Sequence, residues 1–170
     1  MRIGTAALIT LRPIEEKDSG PIRDMLENSG AFTAEEIKTA FELIDCYLRD
    51  PDQKDYDVRT SIDAEGRVVG YFCVGPTPLT RSTFDLYWIA VNPSNLGRGI
   101  GTLLLRHAED LVVNRGGRLL LAETSSRTGY DRSRSFYRKN SYSEVARIRD
   151  YYDTGDDLLI YGKYLSSTGI

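Results

Sequence analysis

Histidine is nearly absent from this chain, which has one, His107, in 170 residues. A multi-histidine metal centre is thereby excluded, and a Ser-His-Asp triad has a single candidate base. Cysteine is scarce too. Cys46 and Cys73 lie far apart, make no CxxC pair, and read as reduced thiols in or near the core of a cytoplasmic protein. No apolar run approaches the roughly 20 residues of a membrane span. The opening MRIGTAALITLRP lacks the apolar stretch of a signal peptide. Neither sign of charge dominates: 22 Lys+Arg stand against 25 Asp+Glu, a net charge of -3. That balance argues against a nucleic-acid partner. Repeats and low-complexity tracts are also missing.

What is present suits one domain spanning 1–170. Hydrophobic residues make up 41% of the chain, enough for a core that needs no disulfide. Ala6 to Leu11 predicts a short strand stopped at Pro13, and Glu15 to Glu27 a helix. Thr33-Ala34-Glu35-Glu36 is a capping box, and Ile37, Phe41, Ile44 and Leu48 form the apolar stripe of the helix it opens. The period then shortens. Val58 to Ile62 and Val68 to Val74 read as a hairpin, and Phe84 to Val91 as a third strand. Ile100, Leu103, Leu104, His107, Ala108, Leu111 and Val112 fit a helix that ends at Gly116-Gly117. Leu119 to Ala122 predicts a buried strand, Tyr130 to Lys139 a basic helix, and Ser143 to Ile148 with Leu158 to Tyr164 a closing hairpin. The order β-α-α-β-β-β-α-β-α-β-β implies an α+β fold. Its mixed, mostly antiparallel sheet has about six to seven strands and helices on both faces.

Between the third strand and its helix runs VNPSNLGRGIGT, Val91 to Thr102. Strand, glycine turn and helix together can hold phosphate. Glycines let the backbone approach, and the first helical turn offers unpaired N–H groups and a positive dipole end. A Walker loop is excluded because no Gly-Lys occurs here. The dinucleotide fingerprint finds two of its glycines, Gly97 and Gly99, but Thr102 in place of the third. It also belongs to the first strand of a parallel sheet, whereas three strands precede this turn. A lone GxG more often only joins a strand to a helix.

Further residues narrow the choice. Leu96-Gly97-Arg98-Gly99-Ile100-Gly101 after Val91-Asn92-Pro93 resembles motif A of the GNAT N-acetyltransferase superfamily, whose consensus is [QR]-x-x-G-x-[GA]. Leu96 stands where that consensus has Gln or Arg. Ser135-Phe136-Tyr137-Arg138-Lys139-Asn140-Ser141-Tyr142 resembles the family's A-x-x-F-Y-x-K-x-G-F block, with Ser141 in place of the glycine. The resemblance covers nearly the whole chain and is strongest to bacterial members of unassigned substrate.

The resemblance implies acetyl transfer from acetyl-CoA, a cosubstrate, to a primary amine of a small acceptor in a ternary complex, without a metal. It implies that the backbone of Ile89, Ala90 and Val91 pairs with the pantetheine arm. Gly97, Arg98, Gly99, Ile100, Gly101 and Thr102 are then the diphosphate turn. Tyr130 stands where many relatives carry a cofactor-binding asparagine. Tyr137 falls on the tyrosine acid, and a phenol of pKa near 10 suits a thiolate leaving group. The base is open between Asp85, which shares strand parity with Tyr87, Ile89 and Val91, and Glu123, and water. Arg127, Arg132, Arg134, Arg138 and Lys139 read mainly as a solvated helix face. Asp150, Asp153, Asp156 and Asp157 miss the calcium-loop spacing and read as a polar turn. With Tyr151 and Tyr152 they could also meet a cationic amine. The alternatives are an NAD(P)-dependent enzyme, in which Glu123 serves the ribose, and a non-catalytic CoA-binding sensor. The sequence leaves the oligomeric state open, a homodimer among the options.

Overall fold

The computed structural model describes residues 8–165. Strand β1 is Thr10–Pro13, later than the expected Ala6 to Leu11, of which Ala6 and Ala7 lie outside the described residues. Its proline fits an edge position, where a ladder N–H can be spared. The first helix also starts late. Glu16–Asp18 form one 3-10 turn, and helix α1 is Ser19–Ser29, with Pro21 in its opening turn and Gly30 left-handed behind it. Asp18 fixes this start. Buried at its side chain, it accepts bonds from Arg12 at 2.6 and 2.9 Å and from the Glu15 amide at 2.8 Å. Burial raises its pKa, but the Arg12 and Glu15 bonds outweigh it and hold the carboxyl below its ordinary value.

Helix α2, Ala34–Arg49, is capped as its sequence predicts. Thr33 Oγ1 accepts from the Glu36 amide at 3.2 Å, and Glu36 accepts from the Thr33 amide at 2.7 Å. Strands β2 (Asp57–Ile62), β3 (Val68–Pro76) and β4 (Thr83–Val91) form an antiparallel meander. Helix α3, Ile100–Asn114, follows, then β5, Leu119–Ser125, three residues longer than the expected strand. Helix α4 is Asp131–Lys139, preceded by a 3-10 turn at Thr128–Tyr130. Strands β6 (Ser143–Asp153) and β7 (Asp156–Tyr164) close the chain. The seven strands lie in the order β1-β2-β3-β4-β5-β7-β6, and only β4 and β5 are parallel.

Two apolar clusters cover the two faces. Ile22, Leu26, Phe41 and Ile44 of α1 and α2 pack on Val58, Tyr71 and Cys73. Leu104, Leu105, Ala108 and Val112 of α3 pack on Phe72, Val74, Phe84 and Leu86, and Tyr137 of α4 joins them. His107, placed by its spacing in the apolar stripe of α3, is exposed instead. The buried face turns through Leu105, which the periodicity had left aside. Strand β6 runs five residues past the expected Ile148. Its pairing with β7 breaks between Ile148 and Asp153, and all eleven residues are exposed, as an edge strand without a covering helix must be.

Candidate active site

The site arises where two parallel strands part. Strands β4 and β5 pair at Thr83–Leu119, Phe84–Leu120 and Asp85–Leu121, and no further. Beyond that point β4 stays with β3 as far as Val91, while β5 stays with β7 as far as Ser125. Side chains hold the far end of β5 in place. Arg134 of α4, buried, donates to the carbonyls of Ser125 at 2.6 Å and Arg127 at 2.8 Å and pairs with Asp131. Ser125 Oγ donates to Asp156, which also pairs with Arg127 at 3.1 Å. Arg134 is thus a structural clamp, not part of a solvated face. The edge of β4 that faces β5 is left without a partner from Leu86 onward, a row of backbone donors and acceptors open to an extended ligand.

A bulge rearranges this edge. Cys73 pairs with Trp88 and Val74 with Leu86, so Tyr87 is an extra residue. Parity flips across it. Phe84 and Leu86, then Ile89 and Val91, face the α3 side, while Trp88 and Ala90 face α1 and α2. The expectation that Asp85 shares a face with Ile89 and Val91 therefore fails, because it assumed unbroken alternation. Asp85 lies on the α1–α2 side with Trp88, and Glu123, two residues past its partner Leu121, lies on that side as well.

After β4, Asn92 Oδ1 accepts from the Ser94 amide at 3.1 Å and caps the 3-10 turn Pro93–Asn95. Gly97 (φ 76°) and Gly99 (φ 80°) are left-handed, which an L side chain would resist. Gly99 is the N-cap of α3, and no side chain bonds the amides of its first turn. Gly101 lies against α4, where an added Cβ would stand 3.2 Å from the Phe136 ring.

These parts line one cleft of about 1500 Å³. Ile89, Ala90, Val91, Gly97, Gly99, Ile100, Gly101, Thr102, Glu123, Tyr130 and Tyr137 all border it. Arg98 is exposed and Asp85 half-buried, and neither borders it. Asp85 accepts a 2.7 Å bond from Thr77. Burial raises its pKa against that bond. Partial desolvation also raises the pKa of Glu123, and the charge of Asp85 adds to the effect. Tyr137 is 7% exposed and stacks on Tyr161 at 5.8 Å. Burial pushes its pKa well up, so the phenol stays protonated far above neutral pH. Tyr130 donates to Glu36 at 2.9 Å across the cleft. Burial and that carboxylate push its pKa up to about 12.

Four lining residues were not singled out in the sequence: Trp88, Thr124, Tyr152 in a catalytic setting, and Glu36 beyond its cap. Thr124 is 6% exposed and its hydroxyl has no partner among the described residues. Only an orphaned hydroxyl in a folded structure could have marked it. Tyr152 reaches the cleft because of the break in β6 pairing. Burial first and Glu123 second push its pKa up to about 12.

A parting of β4 and β5 over an uncapped, glycine-led helix defines a class of acyl-CoA transferases, and sequence comparison agrees. Residues 23–142 match the model of the acetyltransferase (GNAT) family, and the chain belongs to that family. A GNAT-family protein from Desulfovibrio desulfuricans is 36% identical over 94% of this chain and all of its own, with a TM-score of 0.89. The Escherichia coli ribosomal-protein-S18-alanine N-acetyltransferase shares the fold at 21% identity and a TM-score of 0.73, over 95% of this chain and 97% of its own. An aminoglycoside 6'-N-acetyltransferase complexed with coenzyme A does so at 15% identity and a TM-score of 0.73, over 95% and 99%. No curated protein matches. The family sets aside the dinucleotide-enzyme alternative. No described helix is long and apolar enough to cross a membrane.

Proposed function

We propose that the protein transfers the acetyl group of acetyl-CoA to a primary amine of a small acceptor, by direct attack within a ternary complex. One observation carries this reading: the uncapped N-terminus of α3, the left-handed Gly97 and Gly99, and the unpaired edge of β4 open into one cleft. The residues present fit acetyl-CoA. Open space around Gly97 and Gly99 lets a diphosphate approach the backbone, and the dipole of α3 favours its charge. The backbone of Ile89, Ala90 and Val91 suits the amide-bearing pantetheine arm. The buried hydroxyl of Thr124 supplies a donor that the protein itself leaves unused.

In the reaction the ammonium first loses a proton. The amine lone pair then forms a bond to the thioester carbonyl carbon, and the C–S bond breaks with its electron pair on sulfur. The thiolate takes a proton, giving the N-acetyl amide and free CoA thiol. Tyr137 is our candidate acid, since its raised pKa keeps the proton available for sulfur. Glu123 is our candidate for receiving the amine proton, directly or through water, because it borders the cleft. Asp85 acts behind it by raising its pKa.

Thermal unfolding with acetyl-CoA or NAD tests the donor. Acetyl-CoA at 100 times its Kd adds about 2.7 kcal/mol to stability. A shift with NAD and none with acetyl-CoA overturns the reading. Thiol release in the presence of an amine panel then separates an enzyme from a CoA sensor.

A further inference from the structure

The two sides of the cleft are chemically unlike. On the α3–α4 side stand the N-terminus of α3 and the cations Arg132 and Lys139. On the α1–α2 side the walls carry Glu35, Glu36, Glu123 and Asp153, with Trp88 and Tyr152 between them. Asp153 answers Arg127 at 3.4 Å. Glu35, Glu36 and Glu123 have no ion pair among the described residues.

We propose that the α1–α2 side of the cleft is an acceptor site for a small polycationic amine, one with at least two amino groups, held mainly by Glu36 and Glu123. The proposal rests on the reading of the cleft as an acetyl-transfer site, and names its substrate class. The charge count requires more than one amino group. The attacking nitrogen must be neutral, so it cannot answer the carboxylates, and further ammonium groups on the same molecule can. A metal ion does not account for them. Among the described residues no three His, Cys, Asp or Glu side chains approach closely enough to hold one. The carboxylates are instead spread over the start of α2, the end of β5 and the β6–β7 turn, matching a ligand whose charges are also spread. Trp88 and Tyr152 offer ring faces to ammonium groups. A second, separate sign of an occupant is Thr124, beside Glu123 in the same cleft wall, whose buried hydroxyl is unanswered by the protein. Glu36 holds Tyr130 at 2.9 Å with one oxygen and the Thr33 amide with the other, which fixes its carboxylate in position before any ligand arrives.

Two ligand types share this chemistry, an open-chain polyamine and an aminosugar, and the test separates them. Spermidine, kanamycin and the monoamine butylamine are titrated calorimetrically into the protein, alone and saturated with CoA. Low and high salt are compared, with Glu36→Gln and Glu123→Gln variants alongside. Glutamine at 36 keeps the capping box and removes the charge. At low salt at least one polycation binds about tenfold or more tightly than butylamine, and salt weakens it. Each variant weakens it by about threefold or more while its far-ultraviolet spectrum is unchanged. Tighter binding of spermidine assigns a polyamine, and of kanamycin an aminosugar. Butylamine binding as well as both polycations, or wild-type affinity in both variants, overturns the proposal. CoA titrated into the same samples keeps the two readings apart. Loss of CoA binding with polycation binding intact refutes the donor assignment alone, and the reverse refutes the acceptor class alone.

Discussion

Replacing Thr124 by valine keeps shape and β-branching and removes one hydroxyl. That hydroxyl belongs to a residue 6% exposed, on the cleft-lining end of β5, and bonds to nothing in the protein. A buried, unsatisfied hydroxyl costs about 1–3 kcal/mol. Taking the lower end, Thr124→Val raises the unfolding free energy of the ligand-free protein by about 1 kcal/mol, or about 2–4 °C in Tm for a chain of this size. With acetyl-CoA bound the effect is opposite. A neutral hydrogen bond is worth about 0.5–1.5 kcal/mol, so the valine variant binds acetyl-CoA about 2- to 13-fold more weakly. Thermal unfolding without ligand and a calorimetric titration of acetyl-CoA read the two signs separately. A variant that is less stable by a kilocalorie yet binds acetyl-CoA normally would refute the reasoning. Its hydroxyl would then already be satisfied, and turned away from the ligand.

Three further outcomes follow from other residues. Tyr137→Phe keeps the stack on Tyr161 and removes the phenolic proton, so kcat falls by about 100-fold while CoA affinity measured by titration holds; unchanged turnover removes Tyr137 from the mechanism. Ser141 has φ 68° at the place where the family carries glycine. Ser141→Gly therefore raises stability in denaturant unfolding by up to about 1 kcal/mol, and a loss would show that the serine side chain makes up for its backbone. Asp18→Asn costs about 1.5–3 kcal/mol at neutral pH, the worth of hydrogen bonds to a charged group. Because the folded pKa of Asp18 is held down, its contribution is present above about pH 4, the unfolded pKa, and is lost as pH falls through the lower folded value. The variant's stability curve lacks that acid limb, and an identical limb in both proteins would assign it to other carboxylates.

Features written in short stretches of chain could be read from the sequence. The capping box at Thr33, the glycine turn at Gly97 to Gly101 and the Phe-Tyr block of α4 each depend on neighbours within a few residues. They were enough to place the sheet order and the cleft. What escaped depends on partners far along the chain. The Tyr130–Glu36 bond joins residues 94 apart. The burial of Arg134 follows from carbonyls that only the folded β5 presents. The Tyr87 bulge exists because β3 and β4 disagree in register by one residue, and Phe84 to Val91 read alone gives no sign of it. The run of β6 to Asp153 was likewise hidden, since its polar letters look like a turn and the pairing resumes only at Asp153–Asp156.

The bulge also bears on how this segment can change in length. Deleting Tyr87 would restore strict alternation and turn Ile89 and Val91 toward α1 and α2, carrying Trp88 and Ala90 into the core beneath α3. A single inserted residue nearby would do the same, whereas a pair would keep both faces and push the glycine turn about 6.6 Å along the strand. Point substitutions between Asp85 and Val91 cost what one side chain is worth, but a change of one in the residue count reverses every neighbour at once. Homologues that vary in length should therefore do so in the Thr77–Ser82 connection, before β4 begins, and leave the seven positions from Asp85 to Val91 uninterrupted.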